Sequence, residues 1–251
     1  MAKRPLSVVV PAFNEERRLG DTLDLLVRFL SGSRDAFEIL IVDDGSSDAT
    51  RRIAQERARA QPSGMIRILA HDTNRGKGFS VRRGALAAEG DLLLMADADL
   101  STPLSELEKL EAALESAPLD IAVGSRAVEG AEIRVHQPWY RERLGKGFNG
   151  VVRMLTGLPF RDTQCGFKLF RMSACRKIFE RQRIEGFAFD VEILFIARKW
   201  GLRTAELPII WNHFADSKVD PVAHAPSVIV DLLRLHLNNA KGIYDRVATS
   251  T

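Results

Sequence analysis

Little cysteine, no long apolar run and no block of like charge bound what this 251-residue chain can be. Its two cysteines, Cys165 and Cys175, form neither a CxxC metal motif nor a disulfide framework, which fits a reducing cytoplasm. No stretch approaches the roughly 18 apolar residues of a membrane-spanning helix, and Met1 to Pro5 is too short and polar for a signal peptide. A cytoplasmic protein, soluble or peripheral on the inner face of a membrane, is therefore expected. Dense basic runs are missing too, so nucleic acid is not an expected partner. His71, His136, His213, His224 and His236 lack metal-ligand spacing, which leaves them surface or packing roles. There is no internal repeat and no low-complexity segment. What remains is ordinary for a globular protein able to bury a core: 45% hydrophobic and 27% charged residues. The formal charge of +3, with a pI near 9.0, favours anions such as phosphates or acidic headgroups.

The first hundred residues alternate strand and helix. Short aliphatic runs at Leu6 to Val10, Phe37 to Val42, Ile66 to Ala70 and Leu92 to Ala96 are separated by helical patterns at Arg17 to Leu30, Ala49 to Ala60 and Phe79 to Ala88. Near-continuous hydrophobic strands in βαβ order predict an α/β fold, a mainly parallel sheet with helices on both faces. Right-handed crossovers then set every strand's carboxyl end on one side. A further helix is expected from Thr102-Pro103 to about Ser116, with Thr102 as N-cap, then a strand at Ile121 to Gly124. Beyond it the alternation breaks down. Arg126 to Pro138 reads as a long connection, Tyr140 to Leu155 as a helix, Gly166 to Phe170 as a strand and Asp190 to Trp200 as a helix. Arg203 to Ile210 reads as an edge strand carrying Pro208. Residues 1–212 are expected to form one domain and 213–251 an appended helical segment. Within that segment Ser227 to Asn238 carries apolar residues on one face and Asp231, Arg234 and His236 on the other. It is expected to pack on the domain or, with Trp139 and Tyr140, to lie at a membrane interface.

Chemistry gathers in the loops after the first four strands. Pro11 and Ala12 are rigid and small enough to let a planar base approach the backbone, and Glu15 is placed to accept from a ribose hydroxyl. In the second loop Asp43 or Asp44 suits the imide N–H of a uracil, while Ser47 or Asp48 caps the following helix. Asp, Gly and Ser are also the usual residues of any strand-to-helix turn. In Asn74-Arg75-Gly76-Lys77-Gly78 a cation flanked by glycines at a helix start suits a phosphate; neither a Walker loop nor a dinucleotide fingerprint is present. Asp97-Ala98-Asp99, directly after the fourth run, delivers two hard carboxylates to the ligand-binding edge, where Mg²⁺ or Mn²⁺ can bridge a diphosphate.

Together the stretches Val8 to Glu16, Val42 to Asp48, Asn74 to Gly78 and Asp97 to Asp99 resemble the inverting family 2 glycosyltransferases of the GT-A fold. Asp162-Thr163-Gln164-Cys165-Gly166-Phe167-Lys168-Leu169-Phe170, with Phe189-Asp190-Val191-Glu192, is more narrowly similar to the dolichyl-phosphate β-glucosyltransferases and the polyprenyl-phosphate mannosyltransferases. The resemblance implies a nucleotide-sugar site at Pro11, Ala12, Asn14, Glu15, Asp43, Asp44, Lys77, Asp97 and Ala98, with Asp97 and Asp99 as metal ligands. It implies acceptor or phosphate contacts at Arg126, Arg143, Gln164 and Lys218, and catalytic roles for Asp97, Asp99, Arg126 and Asp190. Two departures stand out. Membrane helices found in relatives are missing, and a metal-binding Gln of one mannosyltransferase branch is replaced by Ser101.

The resemblance implies transfer of a sugar, glucose from UDP-glucose, to a polyprenyl or dolichyl phosphate. An alcohol acceptor would need a carboxylate base, with Asp190 or Glu192 as candidates. A phosphate monoester arrives already ionised, so cations matter more than a base. Transfer to a soluble hydroxyl, GDP-mannose as donor, and a nucleotide-sugar binder without turnover are the alternatives. Cys165 has no evident base partner and reads as buried filler beside the acceptor. Oligomeric state is not legible.

Overall fold

The structure, a computed structural model, describes residues 3–135, 139–212 and 221–246, with side chains except at 139–146, 148 and 221–225. In chain order the elements are β1 (Leu6–Ala12), α1 (Leu19–Ser33), β2 (Phe37–Asp43), α2 (Thr50–Arg59), β3 (Ile66–Ala70), α3 (Lys77–Ala87), β4 (Leu92–Met95), α4 (Glu106–Ser116) and β5 (Ile121–Ser125). They continue with β6 (Glu132–Val135), α5 (Trp139–Thr156), β7 (Lys168–Arg171), α6 (Met172–Arg181), α7 (Phe189–Lys199), β8 (Thr204–Pro208), β9 (Ile210–Asn212) and α8 (Pro221–Ala240).

Seven strands form one sheet in the order β3-β2-β1-β4-β7-β5-β8, and β6 pairs with β9 in a separate ribbon. Every pairing in the main sheet is parallel except those of β7, which runs antiparallel to both β4 and β5. That reversal has a consequence for function. The start of β7, at Lys168, lies at the edge where the parallel strands end, so the 162–168 segment joins the loops after β1 to β4.

The strands are hydrophobic throughout because both faces are covered. Leu92 and Leu94 of β4 face a core layer with Leu23, Leu26, Leu107 and Leu110 of α1 and α4. Leu93 and Met95 face the other, with Val81, Phe179, Ile193 and Leu235 of α3, α6, α7 and α8. At about 1.5–3 kcal/mol for each fully buried Leu, Val or Phe side chain, these two layers dominate the stabilisation.

Several sequence expectations shift. Pro11 and Ala12 extend β1 rather than opening the loop, because β4 pairs only as far as Val9↔Met95 and the missing N–H of Pro11 costs the ladder nothing on that side. Thr102-Pro103 does not start α4; a turn leads into it through i→i−3 hydrogen bonds from Glu106, Leu107 and Glu108, and the helix begins at Glu106. The Arg126 to Pro138 connection contains β6, the Arg203 to Ile210 run divides at Ile209 into β8 and β9, and α6 follows β7 at once. The expected edge strand is β8, and Pro208 closes it. Asp48 does support α2, accepting the Thr50 N–H at 2.9 Å, while Glu16 accepts that of Ala49 at 3.0 Å.

Helix α8 has two apolar faces rather than one. Val228, Leu232 and Leu235 enter the core, whereas Ile229, Val230, Leu233 and Leu237 point away from it at 45–58% exposure. No helix among the described residues is long and apolar enough to cross a membrane.

Candidate active site

The first two loops are stapled together. Asn14, at a φ of 56°, accepts the Ser47 N–H at 2.8 Å and donates its own N–H to Ser46 Oγ at 2.9 Å. The Glu15 N–H reaches Thr50 Oγ1 at 2.7 Å, and the Glu15 carboxylate pairs with Arg18 at 2.7 Å. Behind them Ala12, Ala98, Asp43 and Asp44 are buried, so Pro11, Asn14 and Glu15 form the accessible rim of this part of the site. Asp43 accepts the Ser46 N–H at 3.1 Å and pairs with Arg51 at 2.7 Å.

Asp44 is an anchor for the third loop. Its oxygens accept the N–H groups of Arg75 (2.9 Å) and Gly76 (2.7 Å), and His71 Nδ1 lies 2.9 Å away. Gly76, at a φ of 108°, also needs its lack of a side chain, since a Cβ would sit 2.5 Å from the Glu185 carbonyl oxygen. A Cβ at Gly78 would lie 2.6 Å from the carbonyl of Ile184. These glycines thus let the loop lie flat against the 184–186 turn and place Lys77 at the start of α3.

There the Lys77 ammonium meets the carboxyl end of β4, 2.6 Å from Asp97 Oδ1. Burial pushes the Asp97 carboxyl up, but Lys77, Lys168 and Arg126 outweigh it and hold the pKa below the usual carboxylate range. Lys77 in turn is held above its ordinary value: burial lowers it, but Asp97, Asp190 and Asp99 more than compensate. Asp99 accepts the Ser101 N–H at 2.9 Å, and its other oxygen lies 3.9 Å from Arg18. The turn between them carries Leu100 at a φ of 46°, a left-handed conformation costing about 1–2 kcal/mol for such a residue. Strain of this kind persists where the surroundings require it.

Gly166 presses on the same carboxylate. A Cβ there would lie 2.2 Å from Asp97 Oδ2, so Gly166→Ala is expected to displace Asp97 and lower turnover about tenfold or more, with little change in melting temperature. Turnover measured beside a thermal melt checks this; an active Gly166→Ala variant would show that the position of Asp97 is unimportant.

Arg126, just beyond β5, is clamped by Asp162 through Nε (2.6 Å) and Nη2 (2.8 Å), and it lies over the Trp211 ring at 5.4 Å. Burial alone would lower its pKa, but Asp162 raises it well above the ordinary arginine value. Glu206 of β8 accepts the N–H groups of Arg161 and Asp162, fixing the clamp from below. Deeper still, the fully buried Lys168 ammonium donates to Asp190 at the start of α7 and to the Cys165 carbonyl. Burial raises the Asp190 pKa despite Lys168 and Lys77. Glu192 is equally committed: it accepts from the Tyr244 hydroxyl and from the N–H groups of Arg183 (2.9 Å) and Ile184 (2.8 Å).

Residues 7–179 match the family described as Glycosyl transferase family 2. The chain belongs to that family. Within this family of glycosyltransferases it is similar to dolichyl-phosphate beta-glucosyltransferases: 38% identical to that of Dictyostelium discoideum, covering 95% of this chain and 76% of the relative. The Homo sapiens protein of that name is 36% identical over 96% of this chain and 78% of its own length. Among solved structures, glucosyl-3-phosphoglycerate synthase from Mycobacterium tuberculosis, in complex with Mn²⁺, UDP-glucose and glycerol 3-phosphate, superposes with a TM-score of 0.65. It is 20% identical, covering 92% of this chain and 80% of that one. Mannosyl-3-phosphoglycerate synthase from Rubrobacter xylanophilus gives 0.68 at 15% identity, over 98% of this chain and 78% of that one. These likenesses establish the expected GT-A fold.

Of the residues singled out by sequence, this glycosyltransferase brings Pro11, Asn14, Glu15, Lys77, Asp97, Asp99, Arg126 and Asp190 to one edge of the sheet, with Gln164 half-buried in the segment before β7. Lys218 and His213 lie outside the described residues, as do the side chains of Arg143, Trp139, Tyr140 and His224. Asp162, Lys168 and Glu206 were missed as partners. The first two stand inside the motif quoted for resemblance, and a buried lysine there calls for a counter-charge.

Asp97 and Asp99 fit a Mg²⁺ or Mn²⁺ ion as a pair of hard oxygen donors. Among the described residues no third His, Cys, Asp or Glu joins them, so phosphate oxygens and water would complete the shell. When bound, such a cation neutralises a leaving diphosphate.

Proposed function

We propose that this family 2 enzyme transfers glucose from UDP-glucose, with inversion, to a dolichyl or related polyprenyl phosphate. The observation that carries the acceptor is the commitment of both candidate bases: Asp190 is spent on Lys168, and Glu192 on Tyr244 and two backbone N–H groups. An acceptor that arrives ionised needs neither. It needs cations, and Lys77 and Arg126 lie at the reacting edge. The names of the relatives, similar over nearly the whole chain, point the same way.

In this reading Asp97 and Asp99 hold Mg²⁺ or Mn²⁺ against the diphosphate, with Lys77 beside them. Pro11, Ala12, Asn14, Glu15 and Ala98 shape the nucleoside site. Asp43 rather than Asp44 reads the base, because Asp44 serves two backbone N–H groups and His71, whereas Asp43 serves one backbone N–H, that of Ser46, and the half-exposed Arg51. Arg126, Gln164, Arg143 and Lys218 serve the acceptor phosphate. Residues 1–212 form the catalytic domain and 213–251 its C-terminal helical segment, whose outward stripe of Ile229, Val230, Leu233 and Leu237 rests on a lipid surface at the cytoplasmic face, peripheral to the membrane.

The test is product formation from a panel of UDP- and GDP-sugars with a short polyprenyl phosphate and with soluble alcohols. UDP-glucose with the lipid phosphate is expected to lead, and UDP to bind more tightly than GDP by roughly 1–3 kcal/mol in calorimetry. Equal binding of the two nucleotides removes the base assignment; preference for an alcohol removes the acceptor.

A further inference from the structure

Glu192 is a carboxylate with no solvent exposure, and such a group is costly to bury unless it is hydrogen-bonded. Packing alone would be served by an apolar side chain. Its three partners instead tie two distant parts of the chain together. On one side stands Tyr244, itself fully buried just past α8 and fixed by Trp200 Nε1–H donating to its carbonyl at 2.7 Å and Asn238 donating to its hydroxyl at 3.1 Å. On the other stand the Arg183 and Ile184 N–H groups, which open the turn before α7.

That turn is the surface against which the Lys77 loop is laid. Gln182 Nε2 donates to the Gly78 carbonyl at 2.8 Å and to that of Ile184 at 3.2 Å, and the Phe79 N–H donates to the Glu185 carbonyl at 3.2 Å. The close approaches at Gly76 and Gly78 are to the same two carbonyls, of Glu185 and Ile184. A continuous series of short contacts therefore runs from Tyr244 through Glu192 and the turn to Lys77, and from Lys77 to Asp97.

We propose that Tyr244 and Glu192 are positioning residues for the donor diphosphate, holding the 182–186 turn as the platform that fixes the Lys77 ammonium beside Asp97. The inference rests on the donor reading above, in which Lys77 meets the diphosphate. It adds that the C-terminal segment sets donor affinity while touching neither substrate.

The test is a double-mutant cycle read by UDP calorimetry and by KM for each substrate, on wild type, Tyr244→Phe, Lys77→Ala and the pair. Tyr244→Phe is expected to weaken UDP and raise the UDP-glucose KM about tenfold while leaving the polyprenyl phosphate KM unchanged. In the Lys77→Ala background it should add less than about twofold, because its effect passes through Lys77. An equal effect in both backgrounds, or none in wild type, overturns the positioning role while the donor reading stands. If Lys77→Ala itself leaves UDP affinity intact, the donor reading is what fails, and this inference falls with it. Should thermal melting show Tyr244→Phe unfolded, Gln182→Met, which removes the bonds to Gly78 and Ile184, carries the same comparison with the same outcomes.

Discussion

Asp99→Ala is expected to reduce turnover at least about 10²-fold while the protein melts close to the wild-type temperature. On the proposed function the loss is large because the carboxylate would help hold the cation that offsets a leaving diphosphate, and groups aimed at developing charge are usually the greatest single contribution to catalysis. The structural loss is small because Asp99 makes one backbone hydrogen bond, from Ser101, and one 3.9 Å approach to Arg18. A lost bond of that sort costs about 1 kcal/mol. Asp97 would be the worse choice for this test, since removing it strands the Lys77 ammonium. Steady-state turnover in metal-defined buffer decides the matter, and wild-type activity of Asp99→Ala after chelation would end the metal assignment.

The second large effect separates stability from chemistry at Asp190. With asparagine there, Lys168 remains fully buried without its counter-charge, and breaking a buried pair from one side costs about 3–5 kcal/mol. Asp190→Asn is therefore expected to lower the melting temperature markedly, yet its folded fraction should keep far more activity than the loss of a general base, about 10²–10⁴-fold, would leave. The acid limb of the pH profile should also stay where it is. With a phosphate acceptor that limb follows the acceptor's own second ionisation, near pH 6, rather than any enzyme carboxyl. Arg126→Ala should instead raise the KM for polyprenyl phosphate and spare that for UDP-glucose. If Asp190→Asn abolishes turnover in folded protein while Arg126→Ala is nearly silent, a hydroxyl acceptor becomes the better account.

The loops proposed for the donor were legible as loops at one sheet edge because their signals are local. A buried parallel strand reads as an unbroken aliphatic run, and Asp97-Ala98-Asp99 follows one directly. The residues proposed for the acceptor came only from a resemblance. Nothing in residues 120 to 130 indicates that Arg126 will be clamped by Asp162, or that Lys168 will find Asp190 across the interior; those pairings are tertiary and leave no periodicity. Strands β6 and β9 escaped because, at four and three residues, they are too short for a strand period to stand out from a connection. Helix α6 escaped because it follows β7 without a break. Asp44 suggests the opposite lesson, since its residue type fitted both a ligand and a turn, and its oxygens are occupied by the loop that carries Lys77.

The antiparallel insertion of β7 also shapes how the chain reaches its native state. Strands β1 to β4 can assemble as soon as the first hundred residues have left the ribosome, but the free edge of β4 then shows an unpaired row of N–H and C=O groups. Its partner is not synthesised until residues 168–171 emerge. Through that interval the nascent sheet is open to pairing with another chain, and closing the gap requires a loop of more than seventy residues, a slow, non-local step. The same reversal that brings the 162–168 segment beside the loops after β1 to β4 leaves the half-made protein dependent on late-arriving sequence for protection against aggregation.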